Sequence, residues 1–82
     1  MFSKNILANR LTRLRAEKNI MAKDVAAAVG VTKAAISKIE SGQRAVSVEL
    51  LAKLACFFDT SSDYLLGLVD DPAPPRKDDH HD

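Results

Sequence analysis

The stretch "VGVTKAAISKIESG", residues 29–42, gathers the side chains with the most telling chemistry. Lys33, Ser37 and Lys38 offer ammonium and hydroxyl donors on a short, alanine-rich segment of helical pattern. Groups of this kind can hold anions and hydrogen-bond acceptors. The charge distribution points the same way. Residues 1–58 carry ten basic side chains against four acids, a balance of +6. Residues 59–82 carry two against seven, −5, and the two parts make up the net +1. A basic body with an acidic tail implies a polyanionic partner for the body.

Other reactive groups do not assemble into a catalyst. The chain lacks a glycine-rich phosphate loop and a serine–histidine–acid arrangement on a credible scaffold. His80 and His81 lie in a segment with prolines and aspartates, with no third ligand at structural spacing, so neither a metal nor a cofactor is expected. Cys56, the single cysteine, stands among apolar residues and reads as a buried, inert thiol. One cysteine excludes an intramolecular disulfide and suits a reducing compartment. No charged-then-apolar leader opens the chain. The longest apolar run, "VAAAVGV", falls far short of the about 20 residues that cross a bilayer. The expectation is a cytoplasmic protein with no membrane partner, and not an enzyme.

Eighty-two residues make one small domain, and few aromatics with abundant Ala, Leu and Lys favour an all-α fold. The first helix is expected over 5–18, with Leu7, Leu11 and Leu14 on one face and Asn19 as a left-handed stop. A second runs over 22–29, with Val25, Ala26 and Val29 inward, ended by Gly30. Thr32 caps a third over 33–41, which buries Ile36 and Ile39 and ends at Gly42. Ser47 caps a fourth over 48–58, whose apolar face is Leu51, Leu54, Ala55 and Phe58. Ser61 or Ser62 starts a fifth with Tyr64, Leu65 and Leu66, closed by Gly67. The domain is expected over 1–69. Residues 70–82, acidic and proline-containing, cannot bury enough to order themselves and read as a disordered tail.

The turn between the second and third helices is narrowly specified. Ala26 stands four residues before Gly30, and the small side chain lets the helices approach. Gly30 supplies the positive φ of a sharp corner. Such a corner holds the third helix proud of the body. With "LRAEKNI", "DVAAAVGVTKAAISKIESGQR" and "LAKLACFFDTSSDYLLG", the chain resembles the lambda repressor and Cro-like helix-turn-helix family, often called the Xre family, over residues 8–67.

The resemblance implies a compact five-helix, lambda-repressor-like DNA-binding domain whose third helix enters the major groove by its N-terminal end. Its base-contacting positions are then Thr32, Lys33, Ala34, Ser37 and Lys38. Lys33 suits guanine O6 and N7, and the Ala34 methyl suits thymine. Lys23, Gln43, Arg44, Lys4 and Arg10 are candidates for phosphate. Many family members put a serine or threonine cap and a glutamine at the start of the second helix; this chain has Met21 and Ala22 there, so a side-chain clamp is lost. Arg15 and Glu40 match a structural ion pair of the family.

The family usually binds as a homodimer on a two-fold double-stranded DNA operator. Phe58, Tyr64, Leu65, Leu68 and Val69 look like more apolar surface than a small core needs and are the candidate dimer interface. The implied function is a sequence-specific transcriptional regulator, a repressor acting by occupancy, bacterial or phage-encoded and nucleoid-associated. Two rival readings stand beside it. One is an antitoxin or a restriction-modification controller of the same family, with a toxin or anti-repressor protein as a possible partner. The other is a protein-interaction adaptor that has lost DNA affinity.

Overall fold

Leucines at positions 7, 11 and 14 repeat with helical period, and all three are buried along one side of the first helix. The computed structural model describes residues 4–73. Five helices follow one another: α1 Lys4–Lys18, α2 Ala22–Val29, α3 Lys33–Glu40, α4 Val48–Phe57 and α5 Ser62–Leu66. Among the described residues there is no strand. Helix α1 packs on α3 and α5, α2 packs on α3 and α4, and α4 closes against α5. The core they share is Leu7, Leu11, Leu14, Val25, Val29, Ile36, Ile39, Leu54, Phe58 and Leu65, joined by smaller or partly covered neighbours. No helix of the described residues is long and apolar enough to cross a membrane.

Local chemistry sets where each helix begins. Thr32 Oγ1 accepts from Ala35 N–H at 3.0 Å, Ser47 Oγ from Leu50 N–H at 3.1 Å, and Ser61 Oγ from Tyr64 N–H at 3.0 Å. At Ser47 and Ser61 this satisfies a backbone donor that the first turn leaves without a carbonyl, while Ala35 N–H also reaches Thr32 O at 3.1 Å. Helix α2 differs. Met21 stands at its N-cap with no side-chain hydrogen bond and is 60% exposed.

The five helices stop by one common device. A residue with positive φ follows each helix, directly at Asn19, Gly30 and Gly67 and after one further residue at Gly42 and Asp59. The next N–H then turns back to a carbonyl five residues earlier, in the pairs Ile20 to Arg15, Val31 to Ala26, Gln43 to Lys38, Thr60 to Ala55 and Leu68 to Asp63. Gly30 is needed for its φ of 79° alone, since a Cβ there would meet nothing within 4 Å. Gly67 is needed twice over, because at φ 85° a Cβ would also lie 2.9 Å from Ile6 Cγ2.

Two sequence expectations are corrected. Cys56 is exposed, not buried. On α4 the inward positions are Leu50, Leu51, Leu54 and Ala55, so the next residue along is carried around to the solvent side with Ala52 and Lys53. The boundary expected after residue 69 is not clean either. Asp70 is bonded to Arg10, and Pro72 O accepts from the buried Thr60 hydroxyl. Residues 74–82, with His80 and His81, lie outside the described residues, as do residues 1–3.

The two glycines give a paired prediction. Gly30→Ala is expected to cost about 1 kcal/mol, the strain of a left-handed L-residue. Gly67→Ala is expected to cost more, since Ile6 must also shift. Urea denaturation of both variants measures this, and equal losses would show that the Ile6 contact carries no weight.

Candidate nucleic-acid interface

Helix α3 divides sharply into two faces. Ile36 and Ile39 are fully buried, while Thr32, Lys33, Ala34, Ser37 and Lys38 are exposed. The Thr32 cap fixes where the helix starts, and with it the height at which Lys33 and Ala34 project. The other end is fixed by an ion pair. Arg15 Nε donates to Glu40 Oε2 at 2.7 Å and Nη2 to Glu40 Oε1 at 3.0 Å, a two-pronged contact, while Nη1 donates to Ile20 O at 3.0 Å. Donation to the Glu40 carboxylate holds the Arg15 guanidinium above its already high range, outweighing the opposing effect of burial. Three segments, the end of α1, the α1–α2 turn and the end of α3, are thereby joined through one side chain.

Around α3 the basic residues are free to act outward. Among the described residues none of Lys23, Lys33, Lys38 and Arg44 has an ion-pair partner, and all four are exposed. Lys38 O is engaged by the Ser41 hydroxyl at 3.0 Å, which steadies the last turn without using the ammonium. The start of α1 abuts the loop after α3, where a Cβ on Gly42 would lie 2.9 Å from Asn5 Oδ1. That approach sets Lys4 beside the loop that carries Gln43 and Arg44, all three exposed. At α2 the uncapped first turn leaves backbone N–H groups open next to Lys23, a geometry suited to an anion.

Arg10 is not part of this set. Its guanidinium turns to the opposite flank, donating to Tyr64 O and Val69 O at 2.6 Å and to Asp70 Oδ1 at 3.0 Å. It also lies 4.3 Å from the centre of the Tyr64 ring. The reason is its phase on α1: it follows Leu7 by three residues and therefore leans toward α5 rather than solvent.

The expected dimer surface also needs correction. Phe58, Tyr64 and Leu65 are buried inside the monomer and leave no side chain for a partner. Leu68 and Val69 are 57% and 40% exposed. The apolar surplus visible in the sequence is real only past Gly67. The bonds of Thr60 and Arg10 are not visible in the sequence. Nothing in their spacing signals a bond to a residue more than ten positions away.

Two short helices joined by a left-handed glycine turn, the second anchored from behind and open in front, define a helix-turn-helix domain. The chain belongs to the helix-turn-helix family, whose model matches residues 11–65. It is 46% identical over 59 residues to the HTH-type transcriptional regulator AnsR of Bacillus subtilis strain 168, a match covering 72% of this chain and 51% of AnsR. It is 34% identical over 65 residues to the uncharacterized HTH-type transcriptional regulator YobD of the same organism, covering 79% and 58%. The chain thus spans little more than half the length of these curated relatives. Among solved structures, the restriction-modification controller protein C.AhdI of Aeromonas hydrophila superposes with a TM-score of 0.71 at 29% identity, covering 76% of this chain and 94% of that one. The clp gene regulator ClgR of Corynebacterium glutamicum gives 0.73 at 29% identity, covering 79% and 69%.

Glu40→Ala is expected to lower stability by about 1–3 kcal/mol, since it leaves a partly buried guanidinium without its carboxylate. Denaturant midpoints check it. A loss under about 0.5 kcal/mol, the ordinary scale of a surface change, would make the pair incidental.

Proposed function

We propose that the chain is a sequence-specific double-stranded DNA-binding transcriptional regulator that lays α3 in the major groove. The observation that carries this reading is the divided α3, with two buried isoleucines behind and uncommitted Lys33 and Lys38 in front. Lys33, at the first helical position, reads a guanine edge, and Ala34 next to it meets a thymine methyl. Thr32, Ser37 and Lys38 contribute smaller base or backbone contacts. Lys23, Lys4, Gln43 and Arg44 hold phosphates on either side and set the register of the helix in the groove. The regulator relatives AnsR and ClgR support the same assignment.

One such module reaches few base pairs, so specificity calls for two copies on half-sites about one helical turn, roughly 34 Å, apart. We assign that homodimer contact to Leu68 and Val69. Occupancy of an operator then represses by excluding polymerase, in the cytoplasm where the DNA is. This reading assigns no reaction to the chain.

A second reading within DNA binding draws on one observation. The match to C.AhdI covers nearly all of that controller's chain. On this second reading the same α3 face of this chain binds DNA, and only the regulated gene differs.

Lys33→Ala is expected to cost about 1–3 kcal/mol of binding and to relax preference at one base pair. Selection from random duplexes with both proteins tests this; an equal loss on every sequence would remove Lys33 from base reading. Arg44→Ala is expected to weaken binding evenly and to lower the slope of log affinity against log salt by about one. A salt titration with an unchanged slope would take Arg44 out of the phosphate contacts.

A further inference from the structure

Arg10 commits both terminal nitrogens of its guanidinium to the end of α5 and the turn that follows it. The bonds to Tyr64 O, Val69 O and Asp70 fasten that turn to α1, and Leu68 N–H is returned to Asp63 O at 2.8 Å. The cation also neutralises the carbonyl end of α5 and stacks on the Tyr64 ring. Yet the side chains carried by the fastened turn add little to the core, since Leu68 and Val69 face largely outward. Ordering a chain segment costs conformational entropy. Burial of these two side chains offsets only part of that cost within the monomer, so polar bonds must supply the rest, the three from Arg10 together with the one from Thr60 to Pro72 O. A loose end would have been the cheaper arrangement for a turn with no task.

We infer that Arg10 is a positioning residue for self-association: it holds Leu68 and Val69 as a ready-made apolar ridge for a second copy of this chain. The inference rests on the homodimer reading above and adds to it the device that makes the ridge rigid. The surroundings fit a second copy better than another partner. A two-fold contact sets a patch against itself, so its rim needs charges of both signs. On the α1 flank Arg13 is exposed three residues beyond Arg10; on the α5 side Asp63 is exposed. Each copy thus brings a base on one side of the ridge and an acid on the other. Holding the ridge before contact removes an ordering cost that the association would otherwise carry.

The test is sedimentation of the full chain over a concentration series, with thermal melting of each variant alongside. The wild type is expected to self-associate. Leu68→Asp is expected to be monomeric with unchanged melting. Arg10→Gln is expected to weaken association roughly tenfold or more per folded chain, as charge-assisted bonds are lost. Arg10→Lys should recover part of that loss, because an ammonium still reaches a carbonyl and the ring face. Asp70→Ala removes one exposed arm of the clamp and is expected to weaken association about threefold, the scale of an exposed ion pair, with melting unchanged. That variant reads the clamp even where Arg10→Gln does not fold.

An Asp70→Ala chain that associates as tightly as the wild type, beside an Arg10→Gln chain whose association falls only with its folded fraction, would leave Arg10 an architectural residue and overturn the inference. A wild-type chain that sediments as a monomer at every concentration, alone and on a two-fold duplex, would overturn the homodimer reading and the ridge with it. A dimeric wild type with indifferent clamp variants sinks only the clamp.

Discussion

Helix α3 has eight residues and gives the core only two fully buried side chains, Ile36 and Ile39. That is little anchorage for an element whose other face must stay bare. Isolated helices of this length do not hold together in water. The neighbouring structure supplies what α3 lacks. Thr32 closes its first turn, Gly42 and Gln43 close its last, and Glu40 is gripped by Arg15. Helices α1 and α2 press on it from behind. Rigidity at the outer face comes from both ends and the back, which is why the front carries no packing duty.

The same economy runs through the chain. Four of the five helices have ten residues or fewer, and each of the five is followed within two residues by a left-handed one, with a carbonyl satisfied from just beyond it. Such ends reverse the chain within two or three residues and keep the orphan carbonyls from being buried unpaired. A core of modest size can then be covered on several sides. The Arg15 fork works on that scheme as well, for it bonds the carbonyl of Ile20, the residue that closes α1.

Much of this was legible in the sequence because it is local. Thr32, Ser47 and Ser61 are cap residues placed one position before apolar periodicity begins, and Asn19, Gly30, Gly42 and Gly67 are residues that tolerate positive φ. Asp59, which does so with less advertisement, was not foreseen. The inward positions of α1, α2 and α3 followed from period alone. What stayed hidden is what depends on distance in the chain. Arg10 looked like a free cation because its partners lie more than fifty residues away. Phe58, Tyr64 and Leu65 looked like surplus because composition does not say which apolar residues the core consumes. Cys56 was misplaced because, among mostly apolar neighbours, one step along α4 decides between inside and outside. For the candidate interface, the resemblance named the residues, and the structure adds their exposure and their neighbours.

The separation of duties on α3 bears on how such a protein changes over generations. Positions 33, 34, 37 and 38 are exposed, so exchanging their side chains for others that suit a helix typically alters folding free energy by about 0.5 kcal/mol or less each. If α3 reads DNA as proposed, an address written there is open to revision one letter at a time. The scaffold can stay fixed while its destinations diverge.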